Sequence, residues 1–159
     1  MTDDAAIRGH DQILEHTIEL FRSFPIPPGV KLALPPPSTT ALDIRFEEYV
    51  PARSLKATVV VSDRYANAVG LLQGGFLAAM FDDLIGPLSY LTARSPTTSL
   101  ELTTHFLRPV LPGDQLTLTA VVRKAGRAAI YIAAEAHNGA NKVVATAMST
   151  VQVLPMPTP

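Results

Sequence analysis

The 159-residue chain contains no cysteine and no tryptophan. Without cysteine there can be no disulfide, no zinc–thiolate site and no thiol nucleophile, and composition leaves the redox compartment undecided. An excess of either charge is also missing: 13 Lys and Arg stand against 14 Asp and Glu, a formal net charge of −1. That balance offers no basic surface for wrapping nucleic acid. Only four histidines occur, His10, His16, His105 and His137, too dispersed to form a metal site. What the chain does have is apolar mass, 47% of its residues against 17% charged. At this length it is expected to form one domain able to bury its own core.

The start, Met-Thr-Asp-Asp, is acidic with no apolar run behind it and does not read as a secretory signal, so a cytoplasmic protein is the expectation. The greasiest stretch, Val69 to Leu91, has the length of a membrane span. Asp82 and Asp83 near its middle, with Pro87 and several glycines, argue instead for a buried soluble helix.

Apolar residues at Ile13, Leu14, Ile18, Leu20 and Phe21 give His10 to Phe24 the spacing of an amphipathic helix. Six prolines between Pro25 and Pro37 then exclude helix interior and central strand, which predicts an extended tether. Leu42 to Val50 and Ser54 to Ser62 have strand composition and predict a first hairpin around Pro51. A helix over 73–90 follows. Four strand-like runs come next, at Thr98–Arg108, Gln115–Arg123, Ala128–His137 and Lys142–Val153. The turn signals between them, Leu-Pro-Gly-Asp, Lys-Ala-Gly-Arg and His-Asn-Gly-Ala, predict a four-strand antiparallel meander. The tail Leu-Pro-Met-Pro-Thr-Pro is expected to fray. Residues 1–40 are assigned to a helix and tether, and residues 41–154 to the domain proper. The fold class is α+β, because only the 73–90 helix is apolar enough to cover the sheet's inner face, and the sheet is expected to wrap around it.

Function is concentrated between Asn67 and Asp83, a glycine-punctuated turn feeding that helix. At 100° per residue the adjacent Asp82 and Asp83 point in different directions, so one is a candidate for chemistry and the other for a rim or a structural hydrogen bond. Most of Phe76, Leu77, Met80, Phe81, Leu84 and Leu88 are expected to be packing.

The spacing Asn67, Gly70, Gln73-Gly74-Gly75 and Asp82, with Phe106-Leu107-Arg108-Pro109 and Gly113-Asp114 downstream, resembles the hotdog-fold thioesterases, in particular the phenylacetate-degradation and 4-hydroxybenzoyl-CoA thioesterase branch. The resemblance covers about residues 40–153. It implies a hotdog fold and hydrolysis of an acyl-CoA thioester to free acid and coenzyme A, with no metal and no cofactor. It also implies a homodimer or a tetramer built from dimers. Gly74 would supply the oxyanion N–H, Asp82 the base or nucleophile, Asn67 and Gln73 positioning contacts, and Ser99 a hydroxyl near the attacking water. One position departs: most family members have His where this chain has Gln73, an amide that hydrogen-bonds but takes up no proton at neutral pH.

The chemistry fits these residue types. A tetrahedral oxyanion is stabilised by N–H groups at a helix N-terminus, which have no partners within the helix. A glycine there lets the carbonyl approach closely. A carboxylate in an apolar pocket can attack the carbonyl or activate water. Gly75, Phe76, Met80 and Phe81 are candidates for the substrate pocket, and Arg108, Arg123, Lys124 and Arg127 for coenzyme A phosphates. Gly74 and Asp82 are eight residues apart, about 12 Å along a helix, too far to act on one carbonyl. Two antiparallel helices across a twofold axis would bring Gly74 of one chain beside Asp82 of the other. Two rivals are a non-catalytic acyl-CoA-binding module, favoured by Gln73, and a hotdog dehydratase, which would need a His that the 67–83 segment lacks.

Overall fold

The computed structural model describes residues 5–26, 29 and 31–155. The acidic start, residues 27, 28 and 30 of the proline-rich stretch, and residues 156–159 of the tail expected to fray lie outside the described residues. In chain order the elements are β1 (Ile7–Arg8), α1 (His10–Arg22), α2 (Pro37–Leu42), β2 (Arg45–Val50), β3 (Ser54–Val60), a single 3₁₀ turn at Asp63–Tyr65, α3 (Gly74–Ala93), β4 (Thr97–Phe106), β5 (Gln115–Ala125), β6 (Ala129–His137) and β7 (Val143–Val153). The strands form one antiparallel sheet in the order β1-β2-β3-β5-β6-β7-β4.

The sheet wraps α3 as its composition requires. Alternate residues of the central strands, Leu116, Leu118 and Ala120 on β5 and Ile130, Ile132, Ala134 and Ala136 on β6, are buried on the helix-facing side. Met80, Phe81, Leu84, Ile85 and Leu88 of α3 meet them and are fully buried. Large-to-small changes at such positions typically cost about 2–5 kcal/mol. Pro87 sits inside the helix, where its missing N–H releases the Asp83 carbonyl from the ladder. Among the described residues, no helix is long and apolar enough to cross a membrane.

Two expectations about the chain path are corrected. The last four strands are not a meander: β5, β6 and β7 are, but β4 pairs only with β7, at the sheet edge. Leu-Pro-Gly-Asp at 111–114 therefore closes no β4–β5 hairpin. It ends a crossover that starts at Leu107 and is pinned by hydrogen bonds from Leu72 N–H to the Val110 carbonyl, 2.8 Å, and from Gly113 N–H to the Val61 carbonyl, 2.8 Å. The proline-rich stretch also does not stay extended to its end. Pro37 starts α2, a place where its fixed φ and missing N–H cost nothing. The first forty residues reach the main body, too: β1 pairs with β2, and Ile13 of α1 lies in the common core.

Candidate active site

The turn before α3 is built by its own side chains. Asn67 Oδ1 accepts the N–H groups of Val69, 3.0 Å, and Leu71, 3.1 Å, while Gly70 takes φ 79°, a left-handed value suited to glycine. With Oδ1 occupied, the Asn67 amide nitrogen is the atom left to donate outward. The turn delivers Gln73 as the N-cap of α3. Its Oε1 accepts the Phe76 N–H at 3.2 Å, and its own N–H reaches the Tyr65 carbonyl at 2.8 Å. Among the described residues, the N–H groups of Gly74 and Gly75 have no acceptor. They are the unpaired donors that a helix start always leaves.

Both glycines have close side-chain neighbours that would have to move for a larger residue. A Cβ on Gly74 would stand 2.9 Å from the ring of Phe106, and one on Gly75 would stand 2.8 Å from Gln73 Oε1. Gly74 opens onto a cavity of about 430 Å³ lined by Asn67, Leu71, Leu77, Phe106, Arg108 and Val110. One wall is thus the misread crossover, which the hairpin reading of 111–114 could not reveal. Arg108 is committed there, donating to the Val143 carbonyl.

The two aspartates occupy opposite surroundings. Asp82 is exposed, and Ser99 Oγ of β4 donates to its Oδ1 at 3.3 Å. Asp83 is half-buried against α2, where Ser38 Oγ donates to Oδ1 at 2.7 Å and Oδ2 is buried with no hydrogen-bond partner among the described residues. Burial pushes the Asp83 carboxyl above its ordinary range, with the Asp82 charge adding to the effect.

Of the residues singled out in the sequence, Asn67 and Gly74 share the cavity, and Asp82 and Ser99 pair with each other away from it. Gln73 caps the helix and does not line the cavity. Phe76 packs on Tyr65, with ring centroids 4.5 Å apart. Met80 and Phe81 are fully buried in their own chain's core and do not line this cavity, because their faces of α3 point into the sheet. Phe106, Leu71 and Val110 were missed as cavity walls. The Phe-Leu-Arg-Pro run marked their place in the sequence, without the crossover that brings them to Gly74.

Residues 69–145 match the family model described as the thioesterase superfamily. Among solved structures, a phenylacetic acid degradation-related protein from Ralstonia eutropha is 30% identical, with 85% of this chain and 96% of that one covered and a TM-score of 0.70. The PaaI protein of the phenylacetic acid degradation operon of E. coli is 24% identical over 74% of this chain and 84% of its own, TM-score 0.70. A Streptococcus mutans protein solved with acetyl CoA is 18% identical over 84% and 100%, TM-score 0.68. These last two likenesses are of fold. No curated protein matches the sequence. With the sheet around its central helix and the glycine turn in place, the chain belongs to the hotdog-fold thioesterase superfamily, of the phenylacetate-degradation type, and carries that superfamily's general hydrolase activity.

Proposed function

We propose that the protein hydrolyses an aryl- or medium-chain acyl-CoA thioester at two identical sites, each shared between two copies of the chain. The observation that carries this reading is the division of labour along α3. Gly74, its N–H unpaired, lines a cavity of mixed polar and apolar walls, while Asp82 lies exposed, eight residues further along and outside it. A second α3, antiparallel across a twofold axis, brings the partner's Asp82 to the mouth of that cavity.

In the proposed reaction the thioester carbonyl oxygen accepts from Gly74 N–H, with the Asn67 amide nitrogen as a second donor. The partner's Asp82 either attacks the carbonyl carbon or takes a proton from the water that does. Ser99 holds that carboxylate. The tetrahedral oxyanion collapses by breaking the C–S bond, and coenzyme A leaves as the thiol once protonated. The direct-attack route passes through an acyl anhydride on Asp82 that water then opens. The apolar walls, Leu71, Leu77, Phe106 and Val110, suit a hydrocarbon or aryl group. The acetyl CoA in the Streptococcus mutans relative supports a thioester in this fold. Thiol release measured across a panel of acyl-CoA esters, beside the Asp82→Asn variant, tests the reading; hydrolysis of none of them would reject it.

A non-catalytic acyl-CoA-binding role draws support from Gln73 alone, since it replaces a titratable His and is turned to the helix N–H groups. Tight binding of the esters without any thiol release would establish that role instead.

A further inference from the structure

We propose that a second cavity, at the end of α3 opposite Gly74, binds a small organic monocarboxylate. It is a cleft of about 620 Å³, open to solvent, between α1, the β2–β3 turn and the last turn of α3. Ligand pockets typically measure about 300–1,000 Å³. Ile7, Leu20 and Leu91 give it apolar surface, and His16, Tyr49 and Arg94 bring polar groups to it. Tyr49 is only 3% exposed, and its ring lies tilted against His16 with centroids 6.0 Å apart. Burial raises its phenol above the ordinary range, against the lowering effects of a backbone hydrogen bond at Ala52 and of the Arg94 charge. Arg94 lies near enough to influence that phenol, yet makes no ion pair with any carboxylate among the described residues.

The backbone points to the same place. Among the described residues, four that are not glycine have left-handed φ: Asp43, Ala52, Arg94 and Asn141. Asp and Asn enter this region readily, whereas Ala and Arg do so at a steric cost. Ala52 and Arg94 both line this cavity. Arg94 is the C-cap of α3, its N–H donating to the Tyr90 carbonyl at 2.8 Å. Glycine would make that cap without strain; arginine makes it and places a cation on the cavity wall.

Charge narrows the ligand. Glu19 also lines the cavity, and the carbonyl end of α3, the negative pole of its dipole, ends at the same wall. These oppose any anion, and a phosphate or other multiply charged one most strongly, so Arg94 must outweigh them. A single carboxylate can pair with Arg94 and take the Tyr49 hydroxyl, with its hydrocarbon body over Ile7, Leu20 and Leu91. The 20-residue α3 sets this cavity about 30 Å from the Gly74 turn. Binding here is read without turnover, so it stands or falls separately from the thioesterase reading.

The test is amide NMR on the intact protein titrated with octanoate, octanamide and coenzyme A. Octanoate is expected to shift the amides of Ala52, Leu91 and Arg94, and the other two ligands to leave them in place. Arg94→Gln should weaken octanoate binding at these amides by about tenfold or more, as expected for loss of a charged hydrogen bond. Glu19→Gln, which removes the opposing charge and leaves the cavity lining otherwise intact, should tighten it. Octanoate shifts confined to Gly74 and Leu77, equal binding of octanamide, or unchanged affinity in both variants would overturn the proposal. Should Arg94→Gln not fold, the sign of the Glu19→Gln effect decides.

Discussion

Asp82 and Asp83 are adjacent in the chain and chemically identical, yet α3 holds them in two different worlds. Asp83 turns towards α2, is half-buried, and has the Ser38 hydroxyl on Oδ1 while Oδ2 is closed off from solvent. Asp82 turns to the open face, where Ser99 donates to it and it stays exposed among the described residues. The difference shows how a helix sorts function by angle. One step of about 100° separates a carboxylate that ties two elements together from one left available to a second molecule.

The largest effect expected from breaking that contrast is on turnover. Asp82→Asn should lower kcat by at least about 10²-fold, the range for losing a catalytic base or nucleophile, while Asp83→Asn leaves kcat close to the parent value. Equal losses in steady-state thiol release would erase the distinction.

A smaller effect is expected at Gln73. Because its side chain caps α3, Gln73→His should keep activity within about tenfold, roughly 1.4 kcal/mol in barrier. Gln73→Ala should cost about 1 kcal/mol of stability in urea unfolding, as loss of an N-cap does. A Gln73→His variant with strongly raised activity would mean that the chain had lost a working acid or base.

The smallest effect sharpens the Asp83 side through pH. Its folded pKa is raised above the unfolded value, so folding favours the protonated form. The stability gained that way is complete below the unfolded pKa near 3.8 and disappears as pH rises through the folded value. Asp83→Asn, neutral throughout, should therefore gain stability relative to the parent as pH rises from about 4 towards neutrality. A difference that stays flat across thermal melts over that range would show that Asp83 is not strained by burial.

Much of this was legible in the sequence because it is written in short-range patterns. The run of apolar residues marked α3, the Asn67-to-Asp82 spacing marked the turn and the carboxylate, and strand-like runs parted by turn signals marked β5, β6 and β7. The path of β4 was not legible. A Pro-Gly turn signal between two strand-like runs reads the same whether the chain doubles back or crosses the sheet, and the crossover is selected by the pairing of β4 with β7 and by the backbone hydrogen bonds from Leu72 to Val110 and from Gly113 to Val61. That same ambiguity hid Phe106 and Val110 as cavity walls. The short α2 was equally hidden, since Pro37 can end an extended segment or begin a helix, and its place is fixed by Ser38 reaching Asp83, forty-five residues on.

The shared site is tested most directly by complementation. One sample carries Asp82→Ala and another Gly74→Val, whose added Cβ meets the Phe106 ring; each alone is expected to be nearly inactive. After the two are unfolded together and refolded, random pairing makes about half the dimers mixed, and each mixed dimer holds one site with Gly74 and Asp82 both intact. Thiol release should recover to about one quarter of the parent value per chain. No recovery, with mixed dimers demonstrated by mass, would contradict a site built from two chains.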